Sequence, residues 1–229
     1  MYKYETHLHT SPVSRCAKAG VRESLEFYKS RGYTGVFITN HFANEAKTID
    51  QSLPYEERIA YYYSDFEQGV EIGKEIGLDV FSGVEITFGG TDFLIYGPDK
   101  QWYLDHPEVE TMPASTVLPH YMDHGALVIQ AHPFREAKYI DHIRLFPRCV
   151  HGVEVINGGR TPFENQMAKL YAQSYGLLEF AGSDNHTANK RKLLAGLYFD
   201  QPIVSEQDFA DRVKRQQMRL FDEINTDAL

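Results

Sequence analysis

Cysteine is nearly absent from this chain: Cys16 and Cys149 are the only two among 229 residues. Two thiols cannot build the disulfide framework of a small secreted scaffold, although a single pairing between them is chemically open. Basic residues are also few, 23 Lys and Arg against 32 Asp and Glu, for a formal charge of −9. That balance works against long-range capture of a polyanion such as duplex DNA, while a local basic or metal-lined site is still allowed. No apolar run reaches the roughly 18 residues of a membrane helix, and Met1-Tyr2-Lys3-Tyr4-Glu5 is too polar for a secretory signal. A reduced, cytoplasmic setting is expected, with no membrane partner and no long nucleic acid.

With 42% hydrophobic and 24% charged residues, the chain has the composition of a globular domain rather than of a disordered one. It shows no internal repeat, low-complexity stretch or Pro/Ser-rich linker, so residues 1–229 are expected to form a single domain. Short apolar strands alternate with amphipathic helices, the pattern of a mostly parallel sheet with helices outside it. Strands are predicted at residues 3–9, 36–41, 80–88, 92–96, 126–132, 152–157, 177–184 and 197–199. Helices are predicted at 21–31, 55–76, 114–124, 162–175 and 206–220. Gly32 and Gly77 stop the first two helices, and Gly89-Gly90 gives a hairpin-like signal between the strands at 80–88 and 92–96. An α/β barrel is the first expectation and an open doubly wound sheet the second.

Histidines and carboxylates fall at the ends of these strands. His7 and His9 end the first, His41 the second, and His132 the strand at 126–132; Asp184 and His186 end the one at 177–184, and Glu85 lies on the third. In α/β barrels the C-terminal strand edge is where functional sites assemble. His7 and His9 are spaced i, i+2, as are Asp184 and His186, so on extended backbone each pair shares a face. Turn residues follow the clusters, Thr10-Ser11-Pro12 after His9 and Pro133 after His132. Imidazole with carboxylate suits Zn²⁺, Mn²⁺ or Fe²⁺ better than Ca²⁺ or Mg²⁺. Two such cations lower the pKa of a bridging water and neutralise phosphoryl oxygens. Arg135, three residues past His132, can reach the same edge and grip a phosphate bidentately. Arg160 is a weaker candidate for that task.

The set His7-Leu8-His9-Thr10, Thr39-Asn40-His41, Gly83-Val84-Glu85, Ala131-His132-Pro133 and Gly182-Ser183-Asp184-Asn185-His186 resembles the polymerase-and-histidinol-phosphatase (PHP) superfamily in order and spacing. The resemblance covers about residues 4–187. It implies a distorted (β/α)7 barrel, two or three divalent metal ions and phosphoester hydrolysis. It further implies that His7, His9, Glu85 and Asp184 ligate one metal, that Glu85 bridges to a second held also by His132, and that His41 and His186 belong to a third. In relatives an Asp or His shortly after the second His often completes the third site, whereas this chain has Ser14-Arg15-Cys16. Either Cys16 substitutes, or that site is weak or empty, or Arg15 itself grips substrate phosphate. Many relatives carry a ligand His on the strand at 92–96, where Asp92 could serve as an oxygen ligand. Asn40 stands where relatives often have Asp.

The expected function is hydrolysis of a small phosphomonoester, of the sugar phosphate, histidinol phosphate or nucleotide class, by metal-activated hydroxide attacking phosphorus. Arg135 and Arg15 would clamp the phosphoryl oxygens, and His186 or His41 would orient substrate or protonate the leaving alkoxide. A nuclease of short single strands, a metal-dependent amide or lactone hydrolase, and a non-catalytic binding module are the alternatives. Glu154 and Asn157 are expected to orient ligand imidazoles. His120 and His124 share a helix face at i, i+4, but no third ligand is apparent, and His106, His142 and His151 are assigned nothing. Loops 42–53 and 97–113 are expected at the catalytic edge, with Lys47, Lys100 and Trp102 as pocket contacts.

Overall fold

The strands, in chain order, are β1 (Tyr2–Leu8), β2 (Gly35–Ile38), β3 (Asp79–Ser82), β4 (Val84–Phe88), β5 (Thr91–Tyr96), β6 (Leu127–Gln130), β7 (Gly152–Asn157), β8 (Leu178–Gly182), β9 (Leu193–Phe199) and β10 (Arg219–Ile224). The helices are α1 (Val21–Ser30), α2 (Tyr55–Ile76), α3 (Lys100–Asp105), α4 (Ala114–Asp123), α5 (Pro162–Tyr175) and α6 (Glu206–Lys214). This is a computed structural model, and it describes residues 1–44 and 46–228; residue 45, inside the expected loop 42–53, lies outside them. Local chemistry accounts for the helix ends. At α5, Thr161 and Glu164 form a reciprocal capping box with Pro162 in the first turn, and Gly176 closes the helix at φ 65°. Gly73 lets α2 lie against the sheet, since a Cβ there would come within 2.5 Å of the Leu78 carbonyl.

The α/β class is as expected, but the strands do not close into a barrel. They form two five-stranded sheets, β10-β9-β1-β2-β3 and β4-β5-β6-β7-β8. Two features interrupt closure. The outer edge of β1 is taken by β9, which pairs with it antiparallel over Tyr2–Tyr4, so among the described residues the segment after β8 forms only an isolated β-bridge with β1, Leu8–Asn185. The chain also breaks between β3 and β4 at Gly83, where a Cβ would lie 2.9 Å from Thr39 and 3.0 Å from the Tyr96 ring. Among the described residues the second sheet is joined to the chain following β2 by one isolated β-bridge, His41–Glu85. Both bridges sit at the C-terminal ends of β1 and β2.

Between the sheets lies an apolar layer that includes Tyr4, Phe37, Leu94, Tyr96, Phe180 and Phe199. Phe209 of α6 plugs its far end, 4.1 Å from the Phe37 ring and 5.0 Å from that of Tyr96. Burying one such side chain contributes roughly 2–3 kcal/mol. The expected helix at 206–220 stops at Lys214; Gln216 turns the chain at φ 57°, and β10 follows. The expected strand at 80–88 is β3 and β4, and the short strand at 197–199 is the longer β9. Cys16 and Cys149 are both free. Among the described residues no helix is long and apolar enough to cross a membrane.

A buried polar cluster fastens the turns after β1 and β2. The Asn40 carboxamide accepts from the Thr10 N–H at 2.8 Å and donates to Asp65 of α2 at 3.1 Å, while the Thr10 hydroxyl donates to Asp65 at 2.7 Å. The Tyr62 hydroxyl, also from α2, lies 2.9 Å from the Asn40 carbonyl and 3.0 Å from that of Gly83. Of the three tyrosines at 61–63, then, one secures the strand ends. An aspartate at position 40 would face Asp65 across 3.1 Å with no proton to share. Asn40→Asp is therefore expected to destabilise the protein by at least about 2 kcal/mol in urea unfolding. The exchange Asn40→Asp with Asp65→Asn should recover only part of that loss, because a donor and an acceptor again face each other but the same Asp65 oxygen also accepts from the Thr10 hydroxyl and the Val13 N–H.

Candidate metal centre

The ligand-type residues meet at the end of the sheets where the two bridges lie. Glu85 of β4 is central, with both carboxylate oxygens facing imidazoles. Oε1 is 3.3 Å from His7 Nε2 and 3.3 Å from His132 Nε2. Oε2 is 3.2 Å from His9 Nε2 and 3.0 Å from His41 Nδ1. Asp184 Oδ1 lies 3.7 Å from both His7 Nε2 and His9 Nε2, and 3.3 Å from His186 Nδ1. The i, i+2 pair of β1 does share a face, with His7 Nε2 and His9 Nε2 3.2 Å apart. Three groups can each bring one ligand atom per residue within 4.8 Å of the others: His7, Glu85 and His132; His7, His9 and Asp184; and His9, Cys16, His41 and His186.

The backbone is strained at two of these positions. His132 adopts φ 28° and Asp184 φ 50°, conformations that cost a side chain of this kind of order 1–3 kcal/mol each. Neighbouring groups hold them in place. The Arg191 guanidinium contacts the Asp184 carbonyl, and the His132 N–H donates to Glu154 at 3.0 Å. Glu154 of β7 also meets His7 Nδ1 at 2.8 Å and accepts from Asn157 at 2.8 Å. His7 therefore turns Nε2 toward the site, the arrangement in which an outer carboxylate orients a ligand ring. Ser14 does the same for His9, 3.1 Å from its Nδ1. Ser14 and Arg191 carried no sequence signal for these roles, because neither follows a strand end in the ligand pattern.

Electrostatics follow from packing carboxylates among rings. Burial opposes charge on Glu85, yet His41, His7 and His9 hold its carboxyl well below the usual range. Burial also disfavours a charged His7, but Glu154, Asp184 and Glu85 raise it well above its ordinary value. His9 goes the other way, lowered by burial and by His186. His41 is pushed up to about 9, against burial, chiefly by Glu85. Glu85 Oε1 is buried with no hydrogen-bond partner, as are both Asp92 carboxylate oxygens. Inward-facing ring nitrogens beside orphaned carboxylate oxygens are a donor set that fits divalent cations.

Asp92 lies 3.7 Å from His132 Nε2 and is paired at 2.9 Å with Arg135, a charge contact rather than an aligned hydrogen bond. Arg135, Arg160, Cys16, His41 and His186 line a cleft of about 400 Å³ over Glu85 and Asp184. It opens into a wider groove of about 810 Å³ edged by Arg15, Lys47 and Tyr139. Tyr139, missed in the sequence, has its ring 5.8 Å from the Arg135 guanidinium. Lys100 and Trp102 are not in the cleft. Because β5 runs antiparallel to β4 and β6, the segment after it leaves from the opposite end; Lys100 pairs with Glu67 of α2, and Trp102 stacks on His106.

No protein-family model and no curated protein matches the sequence. Solved structures do. A two-domain protein from Bacteroides vulgatus containing a predicted PHP-like metal-dependent phosphoesterase superposes with a TM-score of 0.69 at 16% identity, over 96% of this chain. The chain spans 64% of that protein's length. The fold is PHP-like. PsfC from Pseudomonas syringae superposes at TM-score 0.67 and 16% identity, over 100% of this chain and 94% of its own. A Bifidobacterium adolescentis protein, provisionally named a metal-dependent phosphoesterase, does so at 0.56 and 15%, over 92% and 95%. At these identities the likeness is one of fold.

In this PHP-like frame the departure at Ser14-Arg15-Cys16 has a physical reading. Arg15 is exposed at the groove edge, while Cys16 stands with His41 and His186. Burial raises a thiol, but His186 and His41 lower that of Cys16 from 9.0 to about 6. A thiolate is the form that ligates and alkylates. Alkylation of Cys16 by iodoacetamide in metal-free protein, followed by mass spectrometry, is thus expected to rise with a midpoint near pH 6, not near 9. Added zinc should suppress it.

Proposed function

We propose that the protein is a metal-dependent phosphoesterase acting on a small phosphomonoester. The observation that carries the reading is the Glu85 carboxylate, whose two oxygens lie within 3.3 Å of four imidazoles beneath a cleft lined by arginine. In this reading His7, His9, Glu85 and Asp184 would hold one ion, and Glu85 with His132 and Asp92 would serve a second. His41, His186 and Cys16 form the third ligand set, the thiolate taking the place that Arg15 cannot. When bound, such ions supply Lewis acidity and a water acidic enough to ionise near neutral pH. Zinc, manganese or iron suits these ligands, and the thiolate tilts the third set toward zinc.

The chain's own groups then do the positioning. Arg135 offers a guanidinium whose Nε has no hydrogen-bond partner, at the cleft wall and anchored from behind by Asp92 and the Gly90 carbonyl. Its planar fork fits two phosphoryl oxygens. Arg160, with an equally unpaired Nε, faces the same cleft, and Arg15 with Lys47 extends positive charge to the groove edge. A compact anion matches this arrangement better than a long strand, given the net charge of −9. His186 is raised, against burial, by Cys16 and Asp184. Where no ion occupies the third set, His186 and His41 are both held toward the protonated form that can donate to the leaving oxygen. The unpaired cysteines are in keeping with a reducing cytoplasm.

After reconstitution with Mn²⁺ or Zn²⁺, the protein is expected to release p-nitrophenol from p-nitrophenyl phosphate, with inorganic phosphate inhibiting. Arg135→Lys should lower kcat/KM by about 100-fold with metal content unchanged. Full activity in that variant would remove Arg135 from the reading. Hydrolysis of amide or lactone substrates without inhibition by phosphate would replace the phosphoesterase assignment.

A further inference from the structure

Away from the cleft, three histidines that the catalytic reading does not use come together at the other end of β5 and β6. His106 follows α3, His120 lies in the last turn of α4, and His124 caps that helix. Their ring centroids are 4.2 Å (His120 to His124), 5.2 Å (His106 to His124) and 6.0 Å (His106 to His120) apart. One ring nitrogen from each lies within 4.8 Å of the other two. Nitrogens on a tetrahedral zinc ion stand roughly 3.3 Å apart, from Zn–N bonds of about 2.0–2.1 Å, so modest ring rotations bring these to bonding positions.

Hydrogen bonding sets two of the tautomers. His106 Nδ1 is 2.8 Å from the Trp102 carbonyl, and His124 Nδ1 is 2.8 Å from the His120 carbonyl. A carbonyl only accepts, so each Nδ1 carries the proton and each Nε2 keeps a free lone pair. Such a backbone carbonyl is a usual outer partner of a metal-bound imidazole. His120 Nε2 is shielded from solvent with no hydrogen-bond partner, and Glu108 Oε1 stands 3.8 Å from it. Trp102 stacks on His106 at 4.2 Å and fixes that ring from one side. Helix capping by His124 explains one of these contacts. It explains neither the convergence of His106 nor the orphaned nitrogen of His120.

We propose that His106, His120 and His124, with Glu108 as fourth ligand, form a second metal site for a zinc-class divalent ion, separate from the catalytic cleft. Three imidazoles and a carboxylate fill a tetrahedral shell and leave no open position, which marks a structural rather than a catalytic ion. It ties the segment that carries α3 to the C-terminal end of α4. Burial and the neighbouring histidines hold His120 toward its neutral, ligating form.

The test is zinc content by elemental analysis of metal-stripped protein after zinc addition and gel filtration. Wild type is expected to hold one ion per chain more than His124→Ala, and one more than His106→Ala. His124 is exposed, so its removal leaves the packing intact. Equal zinc content in all three proteins overturns the proposal. A second measurement needs no variant: zinc should protect His124 of wild type from carbethoxylation mapped by mass spectrometry, and unchanged labelling would also overturn it.

Discussion

A carboxylate taken out of water needs positive or hydrogen-bonding partners within a few ångströms, and Glu85 has imidazoles on four sides, with His7 and His41 raised toward their charged forms. His7, His9, His41 and His132 come from three separate stretches of chain, and each places a ring nitrogen within 3.3 Å of one of its oxygens. In turn the carboxylates Glu154, Asp184 and Glu85 favour the charged form of His7 against its burial. Carboxylates and imidazoles are thus mutually required, and so are the strand ends that bring them together. The strained backbones of His132 and Asp184 fit the same requirement, because relaxing either would turn its side chain away from the cluster.

That constraint reaches outward through the packing. Glu154 holds His7 and the His132 backbone, Ser14 holds His9, and Arg191 holds Asp184. Behind them, Asp65 and Tyr62 of α2 clamp the turns after β1 and β2. Asn40 belongs to this support: its carboxamide both donates and accepts, which an aspartate could not do beside Asp65. The asparagine at position 40 is therefore matched by a partner twenty-five residues away. The change at Ser14-Arg15-Cys16 is matched by two imidazoles that stabilise a thiolate.

Much of the convergence was legible because histidines and carboxylates at strand ends have few other reasons to recur in order. His7 with His9 and Asp184 with His186 followed from period-two spacing at strand ends, while Glu85 was singled out with them by the PHP resemblance. Closure was not legible, since which strand takes the edge of β1 depends on a pairing between Tyr2–Tyr4 and Leu197–Phe199 at the far end of the chain. Lys100 and Trp102 were expected at the wrong end of the sheet. The hairpin at Gly89-Gly90 reverses β5, so the chain beyond it leaves away from the cleft, a consequence implicit in the two glycines. The histidines of α4 lacked a visible third partner because His106 reaches them only once α3 folds in a segment that reads as loop.

The central claim is that Glu85 organises a multinuclear metal centre. It is tested most directly by the metal content of reconstituted Glu85→Gln, compared with its parent by elemental analysis. Both proteins should carry His124→Ala so that the distal histidines contribute nothing. The account predicts two or more ions in the parent and loss of more than one in Glu85→Gln, since the amide keeps the size of the side chain but not the charge that joins the ligand sets. Full metal content in that variant, or no metal in the parent, would contradict it.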